Sequence, residues 1–374
     1  MPVSSAPWRL AMFVAGWVPL AAAAAVTETD AFMANVEKGS HGPNLEKGNW
    51  VVAPIPVSNP TMGTGLQLAT LYLHPSRDGN GGPNPTSGLG AMYTDTDSWV
   101  VGAFHQDYLL EDRLRITAAA GTGSLKLKYY GFGGDGFFAN NPLDYTIDMA
   151  MGFARAQLRL PQSDHWFLGP ALIYGDGDVE MEFDQRVGRL PGLSKNIAVG
   201  GVGMVLTYDS RDNNYFPTQG INFSASYFDF GEALGSDFDY SKTRLDLSYY
   251  TQLLPDLVLA TNGAWESTAG RAPFFNQASA GVRGYNRGEY MDDDALTASM
   301  EGRYSILPRW VWVGFYDYGW VNDGDEPIFQ GKTAHSIGTG LRWQTTPSKP
   351  LHIGVDVAFT DDDTVFFIQL GESF

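Results

Sequence analysis

Cysteine is absent from the 374 residues, so a disulfide framework and thiolate chemistry are both ruled out. Positive charge is scarce: 24 Lys and Arg stand against 42 Asp and Glu, a formal net charge of −18. That balance argues against nucleic acid as a partner, because phosphate binding needs a basic face. After the first 25 residues no stretch reaches the ~18 consecutive apolar residues of a spanning helix. The six histidines show no H-E-x-x-H or paired metal spacing, and there is no G-x-S-x-G elbow. With no nucleophile–base pair and no metal constellation, the sequence supports an enzyme least of all function classes and calls for no cofactor or metal. Gly131-Phe-Gly133-Gly-Asp-Gly136 has the spacing G-x-G-x-x-G, but no βαβ unit surrounds it. It reads as a glycine-rich loop after a strand.

The chain is rich in glycine (44) and in aromatics (13%), with a mean hydropathy of only −0.18. Such a composition suits a chain in which every second residue is apolar. At the N-terminus Arg9, the apolar run Leu10 to Leu20 and the alanines Ala21–Ala25 read as a secretory signal peptide, residues 1–25, removed near Ala25. Residues 26–48 read as a short polar periplasmic segment with a helical turn or two around Asp30–Val36. A secreted chain that spans a membrane without apolar helices must do so as a β-barrel, here expected over 49–374.

Trp50 to Pro60 is apolar but broken by proline, which removes ladder donors, so it reads as an entry segment or an edge and not as a central strand. Sixteen strand-like segments follow, at 64–74, 88–95, 98–107, 112–120, 124–131, 145–160, 164–175, 196–209, 218–230, 237–252, 256–269, 294–306, 309–321, 333–345, 351–359 and 364–374. Short turns at Thr94–Asp97, Gly121–Ser124, Gln162–Asp164, Leu254–Asp256 and Leu307–Arg309 alternate with longer loops at 75–87, 132–144, 176–195, 231–236, 270–293 and 322–332. Short turns on one rim and long loops on the other characterise an outer-membrane barrel. Two connections break the pattern: Gln106 to Asp112 is short where a long loop is due, and Asp209 to Thr218 is longish on the short side.

Period-two alternation is clearest late in the chain. In 295–306, Leu296, Ala298, Met300, Gly302, Tyr304 and Ile306 share one face and Thr297, Ser299, Glu301, Arg303 and Ser305 the other. His352 and Asp356 oppose Leu351, Ile353, Val355, Val357 and Phe359, and Lys242, Arg244, Asp246 and Ser248 oppose Thr243, Leu245 and Leu247. Trp310, Trp312, Tyr316, Tyr318 and Trp320 share one parity, as lipid-facing aromatics do. An apolar outside and a charged inside give a barrel with a wet lumen. The acidic runs Asp176/Asp178/Glu180, Asp292–Asp294, Asp323/Asp325/Glu326 and Asp361–Asp363 fall in or beside connections and read as solvated surface. At the C-terminus Phe366, Ile368, Leu370 and Phe374 fall on one face, with Gly371 between.

Four motifs coincide in order. They are Y-D-S-R-D-N-N-Y-F-P-T-Q-G at 208–220, the loop Val282-Arg283-Gly284-Tyr285, the strand F-Y-D-Y-G-W-V around Asp317, and the ending F-x-I-x-L-G-x-x-F. Together they resemble the barrel of the BamA/TamA superfamily, also called the bacterial surface antigen family. The resemblance implies an all-β, sixteen-stranded antiparallel transmembrane barrel whose long sixth extracellular loop tucks into the lumen. It also implies that Arg283, with Gly284 and Tyr285 beside it, bonds to the wall carboxylates Asp317 and Glu301. Parity agrees: Glu301 lies on the polar face of its strand, and Asp317 opposes the aromatic face of its own. The terminal pattern Phe366, Ile368, Leu370, Gly371 and Phe374 resembles the signal read by outer-membrane assembly machinery.

Family members that act as assembly factors carry POTRA domains before the barrel, for which residues 26–48 leave no room, so a stand-alone barrel is expected. The role implied is assistance to the insertion or translocation of proteins or lipids at the outer membrane. Its partners would be outer-membrane lipid and lipopolysaccharide, the machinery that inserts the barrel itself, client proteins, and a periplasmic partner. Two other classes compete: a diffusion pore gated by the Arg283 loop, and a structural surface antigen.

Overall fold

The computed structural model describes residues 48–75, 85–134, 136–182, 193–213, 216–324, 331–346, 349–361 and 363–374. The expected signal peptide and the segment 26–48, Gly48 excepted, lie outside the described residues. The strands are β1 (Asn49–Asn59), β2 (Gly63–Leu73), β3 (Thr86–Thr94), β4 (Trp99–Leu109), β5 (Leu114–Tyr129) and β6 (Leu143–Arg159). They continue as β7 (Trp166–Glu182), β8 (Leu193–Asp209), β9 (Gly220–Phe230), β10 (Tyr240–Leu254) and β11 (Leu257–Gly270). Two short strands, β12 (Ala278–Ser279) and β13 (Met291–Asp292), pair with each other, and β14 (Asp294–Leu307), β15 (Trp310–Asn322), β16 (Lys332–Thr346), β17 (Lys349–Phe359) and β18 (Thr364–Leu370) finish the chain. All but β12 and β13 form one closed antiparallel barrel of sixteen strands, each beside its sequence neighbour.

Sixteen is the expected number, but two differences cancel in reaching it. The proline-broken segment is a barrel strand, β1, paired with β2 from Asn49 to Asn59. The expected turn at Gly121–Ser124 does not exist: β5 runs straight through it, because β4 and β6 both continue the ladder there. With these corrections the irregular connection at Gln106 to Asp112 becomes an ordinary turn, 110–113, on the same rim as 160–165, 210–219, 255–256 and 308–309. The opposite rim carries 130–142, 231–239, 271–293 and 323–331. The asymmetry has exceptions: the long connections 74–85 and 210–219 lie on the short-turn rim, and the short turns 60–62, 95–98 and 360–363 on the long-loop rim.

The inside of the barrel is of two kinds. Near the long-loop rim, β5 to β10 turn Leu125, Ile147, Met149, Ile173, Val199 and Phe230 inward into an apolar core, against which Phe274 and Phe275 of the 271–293 loop pack. The outer face of the same strand ends carries exposed Lys126, Lys128, Asp144, Asp148, Asp176, Asp178 and Glu180. This inverts the expected wet lumen, and it places Asp176, Asp178 and Glu180 on β7 rather than in a connection. Strands of 16 or 17 residues explain it, because they outrun the ~9–11 needed to cross a bilayer. Beyond the membrane the outside must be polar, and the inside can bury apolar side chains as any water-soluble protein does. The other half, β14 to β18, keeps the expected pattern. Trp310, Trp312 and Tyr316 face outward, and Glu301, Arg303, Asp317, Arg342, His352 and Asp356 are buried inside. Trp320 shares the aromatic parity but is buried at the long-loop rim.

Candidate functional site

The 271–293 segment enters the barrel mouth and is fastened to the wall at several points. Phe274–Asn276 forms a 3-10 turn, and the β12–β13 hairpin brings the chain down and back. Val282 and Ala280 lie against Gly319 of β15, where a Cβ would come within 2.6 Å of Val282 Cγ2, so only glycine lets the loop approach the wall this closely. Thr297 Oγ1 of β14 accepts the Gly281 N–H at 3.0 Å.

These contacts deliver Arg283 to the carboxylates. Its Nε donates to Asp317 Oδ2 at 2.6 Å and its Nη2 to Asp317 Oδ1 at 2.8 Å, a bidentate fork. Nη1 donates to Glu301 Oε2 at 2.8 Å, and the guanidinium lies 3.5 Å above the Phe315 ring. Glu301 and Asp317 are themselves buried, so each carboxylate depends on its cations. Burial works against the charge of Arg283, and Asp317 and Glu301 more than offset it, holding the guanidinium above its ordinary range. Gly284 follows at φ 104, and the Tyr285 hydroxyl donates to the His335 carbonyl at 3.3 Å.

Glu301 also belongs to a larger network. Arg303 Nε donates to its Oε1 at 2.8 Å, and Arg303 lies within 3.6 Å of Glu372. Arg342 forks onto Asp356 and approaches Glu372 at 3.7 Å, and His352 Nδ1 lies 2.9 Å from the same carboxylate. Phe216, from the connection 210–219, reaches in from the short-turn rim to within 5.0 Å of the His352 ring. In that connection Asp212 accepts from the Thr218 and Gln219 N–H groups at 3.0 and 3.2 Å, which ties its start to its end.

Of the C-terminal residues expected on one face, Phe366 and Ile368 share a parity on β18 and Phe374 departs from it. Phe366 points outward and Leu370 is the last residue of β18, but Gly371 adopts φ 88 and turns the chain inward. Ile368 is half-buried, and Phe374 lies 5.7 Å from the Arg303 guanidinium. The physical cause is Glu372, a carboxylate drawn to Arg303, Arg342 and His352.

A second fastening was not anticipated. Lys242 Nζ of β10 lies 2.8 Å from Glu266 of β11, both buried, and donates to the Asn276 carbonyl at 3.1 Å and its Oδ1 at 3.3 Å. Glu266 accepts from the Ser279 N–H at 3.2 Å. The inward parity of Lys242 was legible in the alternation. Its partner depended on the register, which sets Lys242 against Thr268 and Arg244 against Glu266.

Residues 201–374 match the Omp85 superfamily domain. No curated protein matches the chain by sequence. Among solved structures, BamA from Haemophilus ducreyi lacking POTRA domains 1-3 is similar at 16% identity and a TM-score of 0.57, over 87% of this chain and 69% of that one. CdiB from Escherichia coli is similar at 12% identity and a TM-score of 0.60, over 88% of this chain and 63% of that one. CdiB from Acinetobacter baumannii is similar at 14% and 0.57, over 87% of this chain and 60% of that one. The chain therefore spans less than two thirds of either CdiB. The chain is thus a closed sixteen-stranded antiparallel barrel with a fold similar to those of BamA and CdiB, and its residues 201–374 match the Omp85 superfamily domain.

Proposed function

We propose that this barrel assists the insertion or translocation of proteins or lipids at the outer membrane, the role that the BamA/TamA resemblance implies. The observation that carries the proposal is the seam between first and last strands. Only Ser58 is paired with Ile368 there among the described residues. By contrast β17 and β18 pair from Ile353–Phe359 against Thr364–Leu370, and β5 and β6 pair over the whole of Leu114–Tyr129. Continuing the seam register would set Leu370 and Glu372 against Pro56 and Pro54, which have no N–H to give. Unpaired strand edges are templates for an incoming strand, and in a barrel they arise only at such a seam.

In this reading the Arg283 loop is a lock that keeps the mouth closed, and Glu301 and Asp317 are its wall partners. Residues 1–25 act as a cleaved signal and 26–48 as a periplasmic lead. The C-terminal strand, with Phe366, Ile368 and Leu370, serves recognition by the machinery that inserts the barrel. Lipid and lipopolysaccharide surround it, and client chains engage the seam. A diffusion pore is the weaker reading, because Phe274 and Phe275 of the inserted loop pack on an apolar core at the long-loop mouth. The test is the quantitative outer-membrane proteome of a deletion strain, complemented with the wild type or with Arg283→Ala. Loss of particular barrels or lipoproteins, restored by the wild type and not by the variant, is expected. An unchanged proteome would end the assembly reading.

A further inference from the structure

The tail after β18 occupies a site built from the wall. Arg303 and Arg342 are fully buried and His352 nearly so, and all three face Glu372. They form a cup for one carboxylate. The occupant fits it imperfectly: Arg303 and Arg342 stand 3.6 and 3.7 Å from Glu372, ion-pair rather than hydrogen-bond distances, and Arg303 Nη1 and Arg342 Nε have no hydrogen-bond partner among the described residues. A buried donor left without a partner is costly, so this occupant is held less tightly than the cup allows. The next residue touches the loop. Arg283 Nη1 donates to Ser373 Oγ at 3.0 Å, and that hydroxyl lies 3.4 Å from Glu301 Oε2. The Gly371 N–H donates to the His352 carbonyl at 2.7 Å, and Arg303 Nη2 donates to the Phe374 carbonyl at 3.2 Å.

We propose that residues 371–374 are a displaceable latch: Glu372 seats in the Arg303–Arg342–His352 cup, and Ser373 couples that seat to Arg283. Releasing the loop then loosens the tail, and releasing the tail loosens the loop. Because β18 is held to β1 at one paired position, the state of the loop reaches the seam through four residues. The inference rests on the geometry alone and does not depend on the assembly reading.

The absence of cysteine makes single introduced thiols clean reporters. Phe374→Cys reports on the tail. Gly281→Cys reports on the loop, at a position where a Cβ meets nothing within 4 Å. Labelling with a bulky maleimide is followed in detergent micelles, on chains whose compact heat-modifiable band shows that they are folded. Glu372→Gln is expected to raise labelling at both reporters roughly tenfold, and Arg283→Ala to raise it at the tail by a similar factor, since coupling between two sites is reciprocal. Ser373→Ala, a milder change, is expected to make tail labelling insensitive to Arg283→Ala. A free peptide Gln-Leu-Gly-Glu-Ser-Phe is expected to speed tail labelling by competing for the cup, and its Glu-to-Gln analogue to do nothing. The latch is overturned if Glu372→Gln leaves the loop reporter unchanged, or if Arg283→Ala leaves the tail reporter unchanged in a folded chain. Equal labelling with both peptides would show the tail to be a fixed anchor and overturn displacement.

Discussion

The two halves of the barrel interior hold the same loop by opposite means. On the β5–β10 side Phe274 and Phe275 sink into an apolar core of strand side chains that extend past the membrane. On the β14–β18 side Arg283 is held by buried carboxylates, within a network that includes Arg303, Arg342, Asp356 and Glu372. Apolar packing is non-directional and roughly proportional to area, so it tolerates small errors of position. A buried ion network works only when every member is in place, and removing one strands the others. The apolar side supplies grip, and the charged side supplies a defined register. Lys242 and Glu266, a buried ion pair, stand at the boundary, at the edge of the apolar half.

The sharpest break of this contrast is Arg283→Ala. It leaves Glu301 and Asp317 buried with too few cations and is expected to cost about 3–5 kcal/mol, read as a lowered urea midpoint of the folded barrel. Arg283→Lys is expected to recover only part of that, since an ammonium cannot make the two-pronged contact with Asp317. At the boundary, Lys242→Met alone strands Glu266 and destabilises clearly. Lys242→Met combined with Glu266→Leu is expected to return close to the wild-type midpoint, because an apolar pair suits this half. If the double variant is worse than the single, the pair belongs to the charged half. On the apolar side, Ile147→Val is expected to cost only about 0.5–1.5 kcal/mol in the same titration.

The smallest effect is one of pH at Asp212. Burial works against its charge, and the bonds from Thr218, Gln219 and Asn213 more than offset it, so its carboxyl lies below the ordinary value. A carboxylate depressed in the folded state contributes stability at pH above its unfolded value and loses it as pH falls through the folded one. Acidification below the ordinary carboxylate range should therefore loosen the 210–219 connection, measured as faster amide exchange at Thr218 and Gln219. Asp212→Asn should show the looser connection at neutral pH and little further change with acid.

Much of this was open to a reader of the sequence. The inward positions of Glu301, Asp317 and Lys242 follow from period-two alternation, because a strand sends successive side chains to opposite faces. Most strand segments from 145 onward lie close to the observed elements, because each is bounded by turn residues and carries that alternation; the exceptions are β7, which runs on to Glu182, and β18, which stops at Leu370. Gly121-Thr-Gly-Ser misled because its composition is that of a turn, and nothing local says that neighbours on both sides will carry the ladder through it. The apolar interior of β5–β10 was missed because alternation fixes two faces but not which of them meets water. Strand length decided that, by carrying the ends beyond the bilayer.

What the sequence alone determined is the barrel: its class, its late strands and the parity of the residues that could meet inside it. Only the tertiary structure decided the partners. Why Glu266 pairs with Lys242 and why Glu372 turns inward are questions of register and closure. These join residues far apart in the chain, from Arg283 to Ser373 and from Ser58 to Ile368. A local pattern carries the direction of a side chain, but a distance across a barrel exists only once the sheet has closed.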